Sequence, residues 1–138
     1  MAIASGNELV RPGSSVILAG FGTTRNRHVN DTGTLRYTNQ TVSRVNSSLK
    51  LVTTGSGVEA SGACAGDSGG PVYIQSRDAQ GNLKLFLQGV LSTGAEARNG
   101  ACLGTNNYTD PAAYKEWIEA TKAVLLAAEQ RGISSVRP

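Results

Sequence analysis

Apolar and β-branched residues recur at alternate positions in short runs along most of this chain, and glycine or small polar residues separate the runs. A period of two puts successive side chains on opposite faces of a strand. The pattern predicts strands over 16–21, 35–45, 49–53, 71–75, 83–92 and 106–109. Arg11-Pro12-Gly13 makes a turn ahead of the first, and Gly20 and Gly22 close it. Residues 25–33 read as a polar surface loop and 54–62 as a Gly- and Ser-rich one; Asp78 and Gly81-Asn82 mark a turn within 76–82. Six short strands joined by turns satisfy their edges by rolling into a closed antiparallel barrel. The expected class is therefore all-β.

After Thr109 the period changes. Asp110 can accept free amides as an N-cap, and Pro111 suits the first helical position. Tyr114, Trp117, Ile118, Thr121, Leu125 and Ala128 then recur at steps of three and four, and Gly132 ends the run. This predicts one C-terminal helix over 110–132 whose apolar stripe packs on the barrel, with a tail over 133–138. The 138 residues thus read as one domain, 1–109 forming the barrel.

Composition narrows the classes. Seventeen glycines with 39% hydrophobic and 17% charged residues fit a turn-rich soluble β protein rather than a disordered one. The net charge of +3 is scattered, which argues for solvation and against a nucleic-acid partner. No run of eighteen apolar residues offers a membrane span, and the first residues hold no signal-peptide core. Asn30, Asn39, Asn46 and Asn107 each open an Asn-x-Ser/Thr sequon, as chance allows in loops of this composition. One histidine and two cysteines make too small a set for a metal site, and no phosphate loop is present, so neither metal nor cofactor is expected. Cys64 and Cys102 fit either two thiols or one disulfide.

The chemistry concentrates in residues 63–73, ACAGDSGGPVY. A serine hydroxyl becomes a useful nucleophile when its oxygen is exposed near a base, with N–H donors aimed at the developing negative charge. Gly66, Gly69 and Gly70 around Ser68 allow a tight turn that presents Oγ with the amides of Gly66 and Ser68 pointing the same way. Gly, Ser and Asp also build ordinary turns, so the four letters Gly-Asp-Ser-Gly mean little alone. The Gly-x-Ser-x-Gly elbow of α/β-hydrolases fits the same letters, yet it requires a helix after the serine and a later histidine. Gly69-Gly70-Pro71 starts a helix poorly, and no histidine follows Ser68.

The longer match, with Cys64 four residues before Ser68, Pro71 after the glycine pair and a strand-like run over 72–74, resembles the active-serine segment of chymotrypsin- and trypsin-like serine endopeptidases. LAGFGTT over 18–24 resembles the opening strand of that family's second barrel, and the Tyr-x-x-Trp-Ile at 114–118 resembles its terminal helix. The resemblance runs from about Val16 to about Gln130 and implies a six-stranded antiparallel trypsin-like barrel with one C-terminal α-helix. It also implies Ser68 as nucleophile, the Gly66 and Ser68 amides as oxyanion hole, and Asp67 as the buried carboxylate that shapes the hole by pairing with a freshly cut α-amino group. The resemblance places the primary specificity pocket at Gly62 and Ala63, with no carboxylate to favour Arg or Lys unless Glu59 substitutes, so a neutral apolar side chain is expected. Ser92, Thr93 and Gly94 match the edge that pairs with an extended peptide or protein substrate. A Cys64–Cys102 disulfide is implied as well, and with it a secreted or periplasmic location.

The same resemblance exposes a gap. The family's general base and its orienting carboxylate lie in a first barrel, for which these residues hold no counterpart. His28, the one histidine, falls in the 25–33 loop without the family context. The expected object is therefore the second half of a serine endopeptidase, inactive alone, whose exposed face is covered by the first barrel or by self-association. The alternative is a non-catalytic pseudo-protease module that binds through the same pocket.

Overall fold

The computed structural model describes residues 2–4, 10–24, 31–46, 51–54, 62–94, 102 and 105–130. Among them run β1 (Ala2–Ile3), β2 (Ser15–Gly20), β3 (Arg36–Asn46), β4 (Leu51–Thr54), β5 (Pro71–Arg77), β6 (Leu83–Gly94) and β7 (Asn106–Thr109). A 3-10 turn (Pro111–Tyr114) and helix α1 (Lys115–Gln130) follow. The stretches expected to be extended overlap β2 to β7, with ends that agree or differ by one or two residues, and positions 49 and 50 lie outside the described residues. The parallel strand β1 is an addition: Ala2 and Ile3 pair with Phe86 and Leu87 of β6, and two residues are too few to display a period.

The strand order is β1–β6–β5–β2–β3–β4–β7, and β6 also pairs with β7. Apart from β1, each pairing is antiparallel. Alternation does what it predicts: Val16 and Leu18 of β2 are buried while Ser15 is exposed, and Gln40 and Val42 of β3 are buried around exposed Thr41. The inward set Val16, Leu18, Val42, Val72, Leu91 and Tyr108 forms one cluster, joined by Val10 and Ala63. Ala63 sits five residues before Ser68, so the core anchors the approach to the serine turn.

The β5–β6 connection is held by one carboxylate. Asp78 Oδ1 accepts from the amides of Gln80 (3.0 Å) and Asn82 (2.9 Å), and Lys84 Nζ lies 2.7 Å from Oδ2. The hydrogen bond from Lys84, with those amides behind it, lowers the Asp78 pKa from 3.8 to about 2. Because the folded value lies below the unfolded one, the contribution is complete above about pH 4 and is lost as pH falls through about 2. The melting-temperature gap between the native chain and Asp78→Asn should therefore be widest above pH 4 and close toward pH 2, which thermal unfolding across that range measures.

The C-terminal segment departs from expectation in two ways. Asp110 does cap, its Oδ1 accepting from Ala112 N at 2.8 Å, but it caps the 3-10 turn, and α1 begins only at Lys115. More importantly, the apolar stripe does not pack on the strands. No α1 residue is buried; Tyr114, Trp117 and Leu125 are 51%, 67% and 64% exposed, while Ile118, Thr121 and Ala128 are half-buried. An apolar stripe says that a helix face avoids water, and says nothing of which surface receives it. Gly132 lies outside the described residues.

Candidate active site

Two consecutive tight turns carry Ser68. Asp67 N donates to Cys64 O (3.1 Å) and Gly70 N to Asp67 O (2.9 Å). The third residue of each turn is left-handed, Gly66 at φ 92° and Gly69 at φ 79°. A β-turn with that conformation at its third position selects glycine, because a Cβ would collide with the backbone. Ser68 occupies the second position of the second turn and is exposed. Gly69 N donates to Leu91 O (3.0 Å) and Leu91 N to Gly70 O (2.8 Å), which ties the far side of the turn to β6. Among the described residues no acceptor takes the amides of Gly66 or Ser68.

Two backbone amides hold the Asp67 carboxylate. Oδ1 accepts from Gly22 N at 2.8 Å and Oδ2 from Cys64 N at 2.9 Å, so each oxygen already holds a backbone donor. Gly20 and Gly22 are required for this approach: a Cβ on either would run into the Asp67 carboxylate. Gly22 is itself held from behind. Arg36 Nη1 donates to Gly22 O (3.0 Å) and to Asp31 O (3.1 Å), with Nη2 3.6 Å from Asp31 Oδ2. Asp31 also accepts from Thr24 N (3.1 Å) and Thr24 Oγ1 (2.6 Å), and the hydroxyl bond is the main cause of its lowered pKa. Thr23 N donates to Ala65 O at 3.0 Å, closing the 21–24 segment over the first turn.

The remaining predicted positions gather beside these turns. Cys64 and Cys102 form a disulfide with Cα atoms 5.3 Å apart. Gly62 N donates to Cys102 O, and Ala63 is buried. Ser92, Thr93 and Gly94 end β6 and are exposed. Ser92 is the bulge residue where the β6–β7 register shifts, and Thr93 Oγ1 accepts from Asn107 Nδ2 at 2.9 Å. His28 and Glu59 lie outside the described residues, and no group of three or more His, Cys, Asp or Glu converges among those described. No helix among them is long and apolar enough to cross a membrane. Sequence reading missed Gly22, Arg36 and Asp31 as supports of Asp67, and Gln40 and Asn106 as neighbours of Gly62. Alternation alone marks the last two, since they occupy inward positions of β3 and β7.

The family model described as Trypsin matches residues 1–118, from β1 through the serine turns into α1. The chain belongs to the trypsin family. Among solved structures, a mutant of human heparin binding protein (CAP37) is similar, with a TM-score of 0.65 and 22% sequence identity over 88% of this chain. That match covers 49% of the other chain, so the present chain spans about half the length of that protein. At that identity the likeness shows the fold. No curated protein sequence matches significantly.

Proposed function

We propose that this chain is the nucleophile-bearing half of a chymotrypsin-like serine endopeptidase. In this reading residues 1–109 are the family's six-stranded second barrel, 110–132 its terminal helix and 133–138 a tail. Ser68 Oγ attacks the scissile carbonyl carbon, its proton passes to a base, and the resulting oxyanion takes the N–H groups of Gly66 and Ser68. The amine leaves with that proton, and water then releases the acyl group from Ser68. Asp67 keeps the two turns in shape, Gly62 and Ala63 line the pocket, and Ser92 to Gly94 pair with the extended substrate. The observation that carries this is an exposed Ser68 between two left-handed glycines, with two neighbouring amides left unspent.

The base and its carboxylate come from a complementary first barrel, which covers the apolar face that includes Trp117 and Leu125 of α1. In its absence, self-association covers that face. The disulfide suits a secreted or periplasmic enzyme. Fluorophosphonate labelling tests the reading. Added to the chain, a trypsin-like first barrel carrying His and Asp should raise labelling by at least about 100-fold, the contribution of a positioned base. Ser68→Ala should remove it. Labelling unchanged by the added barrel, with complex formation seen in sedimentation, favours the non-catalytic binding module instead.

A further inference from the structure

The segment proposed to line the pocket, at Gly62, and the edge proposed to pair with the substrate, at Gly94, face the same side chain. A Cβ built on Gly62 would stand 2.9 Å from Asn106 Nδ2 and 3.2 Å from Gln40 Nε2. One built on Gly94 would stand 2.9 Å from Asn106 Oδ1. The Asn106 carboxamide therefore reaches both segments, and its strand register agrees, since Asn106 of β7 pairs with Gly94 of β6. It is 1% exposed, and Asn106 Nδ2 donates to Gln40 Oε1 at 3.4 Å, Gln40 being 4% exposed on β3. The group that stands against both glycines is thus a buried, hydrogen-bonded amide.

We propose that Asn106, braced by Gln40, fills the base of the primary specificity pocket, so that the substrate residue preceding the scissile bond is small and uncharged, of glycine, alanine or serine size. This rests on the reading of Ser68 as nucleophile and replaces the apolar preference expected from Gly62 and Ala63 alone. A longer side chain has to displace the carboxamide and strand buried polar atoms, a penalty that discriminates more strongly than a missing methylene does. The two carboxamides carry no charge with which to pair a substrate Arg or Lys.

The test uses the full chain and benzamide, a neutral aromatic probe with no reactive centre, titrated while the amide resonances of Ala63 and Gly94 are followed. Asn106→Gly should bind benzamide at least about 10-fold more tightly than the native chain, the scale of discrimination expected from opening a pocket by a small group. Asn106→Ser, which keeps a polar partner for Gln40, should show a smaller gain in the same direction. A folded Asn106→Gly or Asn106→Ser chain with no gain overturns the proposal, as does native binding equal to that of the glycine variant. Benzamide binding does not involve Ser68 Oγ, so this result stands apart from fluorophosphonate labelling, whose failure in the complemented chain would fall on the nucleophile assignment alone.

Discussion

Asp67→Ala should lower the stability of the fold by about 3 kcal/mol and, in the chain complemented with a first barrel, abolish fluorophosphonate labelling of Ser68, because one carboxylate holds both flanks of the serine turns. Its two oxygens accept from Gly22 N and Cys64 N, residues 45 and 3 positions away. Hydrogen bonds to a charged group contribute about 1.5–3 kcal/mol each, and water reaching this half-buried site recovers part of the loss. Without the carboxylate the Cys64-to-Asp67 turn loses its side-chain brace, and with it the arrangement of the Gly66 and Ser68 amides on which the proposed oxyanion hole depends. Asp67→Asn separates stability from geometry. Its one carbonyl oxygen can satisfy one amide while its NH₂ opposes the other, so it should fall between the native chain and the alanine variant in both urea denaturation and labelling. An alanine variant as stable and as reactive as the native chain would remove Asp67 from the site.

Replacing both Cys64 and Cys102 by alanine should destabilise the protein by about 4 kcal/mol and lower its melting temperature by about 10–15 °C. The bridge closes a separation of 38 residues, and the chain-entropy relation for a loop of that size gives the 4 kcal/mol. The loss is also local. Gly62 N is held by Cys102 O, so the bridge fixes the wall leading into the serine turns. Calorimetry with and without reductant reads the same effect on the native chain: reductant should reproduce the melting temperature of the double variant and leave that variant unchanged. A native melting temperature indifferent to reductant would show the bridge to be thermodynamically idle.

Residues that act through their neighbours in the chain were legible before any coordinates. The alternation in β2 and β3 marked Val16, Leu18 and Val42 as inward. Gly66 and Gly69 announced turns because left-handed backbone selects glycine wherever it occurs. Asp110-Pro111 announced a helical start for a similarly local reason, although the first turn is 3-10. The bland explanation of Gly20 and Gly22, that they close a strand, was incomplete, since the group requiring their missing side chains is the distant Asp67.

What the linear order of residues determined by itself was strands β2 to β7, a tight turn at Ser68 and the apolar stripe of the last helix, since each depends on contacts within a few positions and on intrinsic backbone preference. Tertiary structure alone decided the rest. It set the amide of Gly22 against the Asp67 carboxylate, left Trp117 and Leu125 facing outward, and brought Asn106 between Gly62 and Gly94. These outcomes depend on how separate strands are registered in space, and a side chain's capacity to donate, accept or avoid water does not say which distant group will meet it.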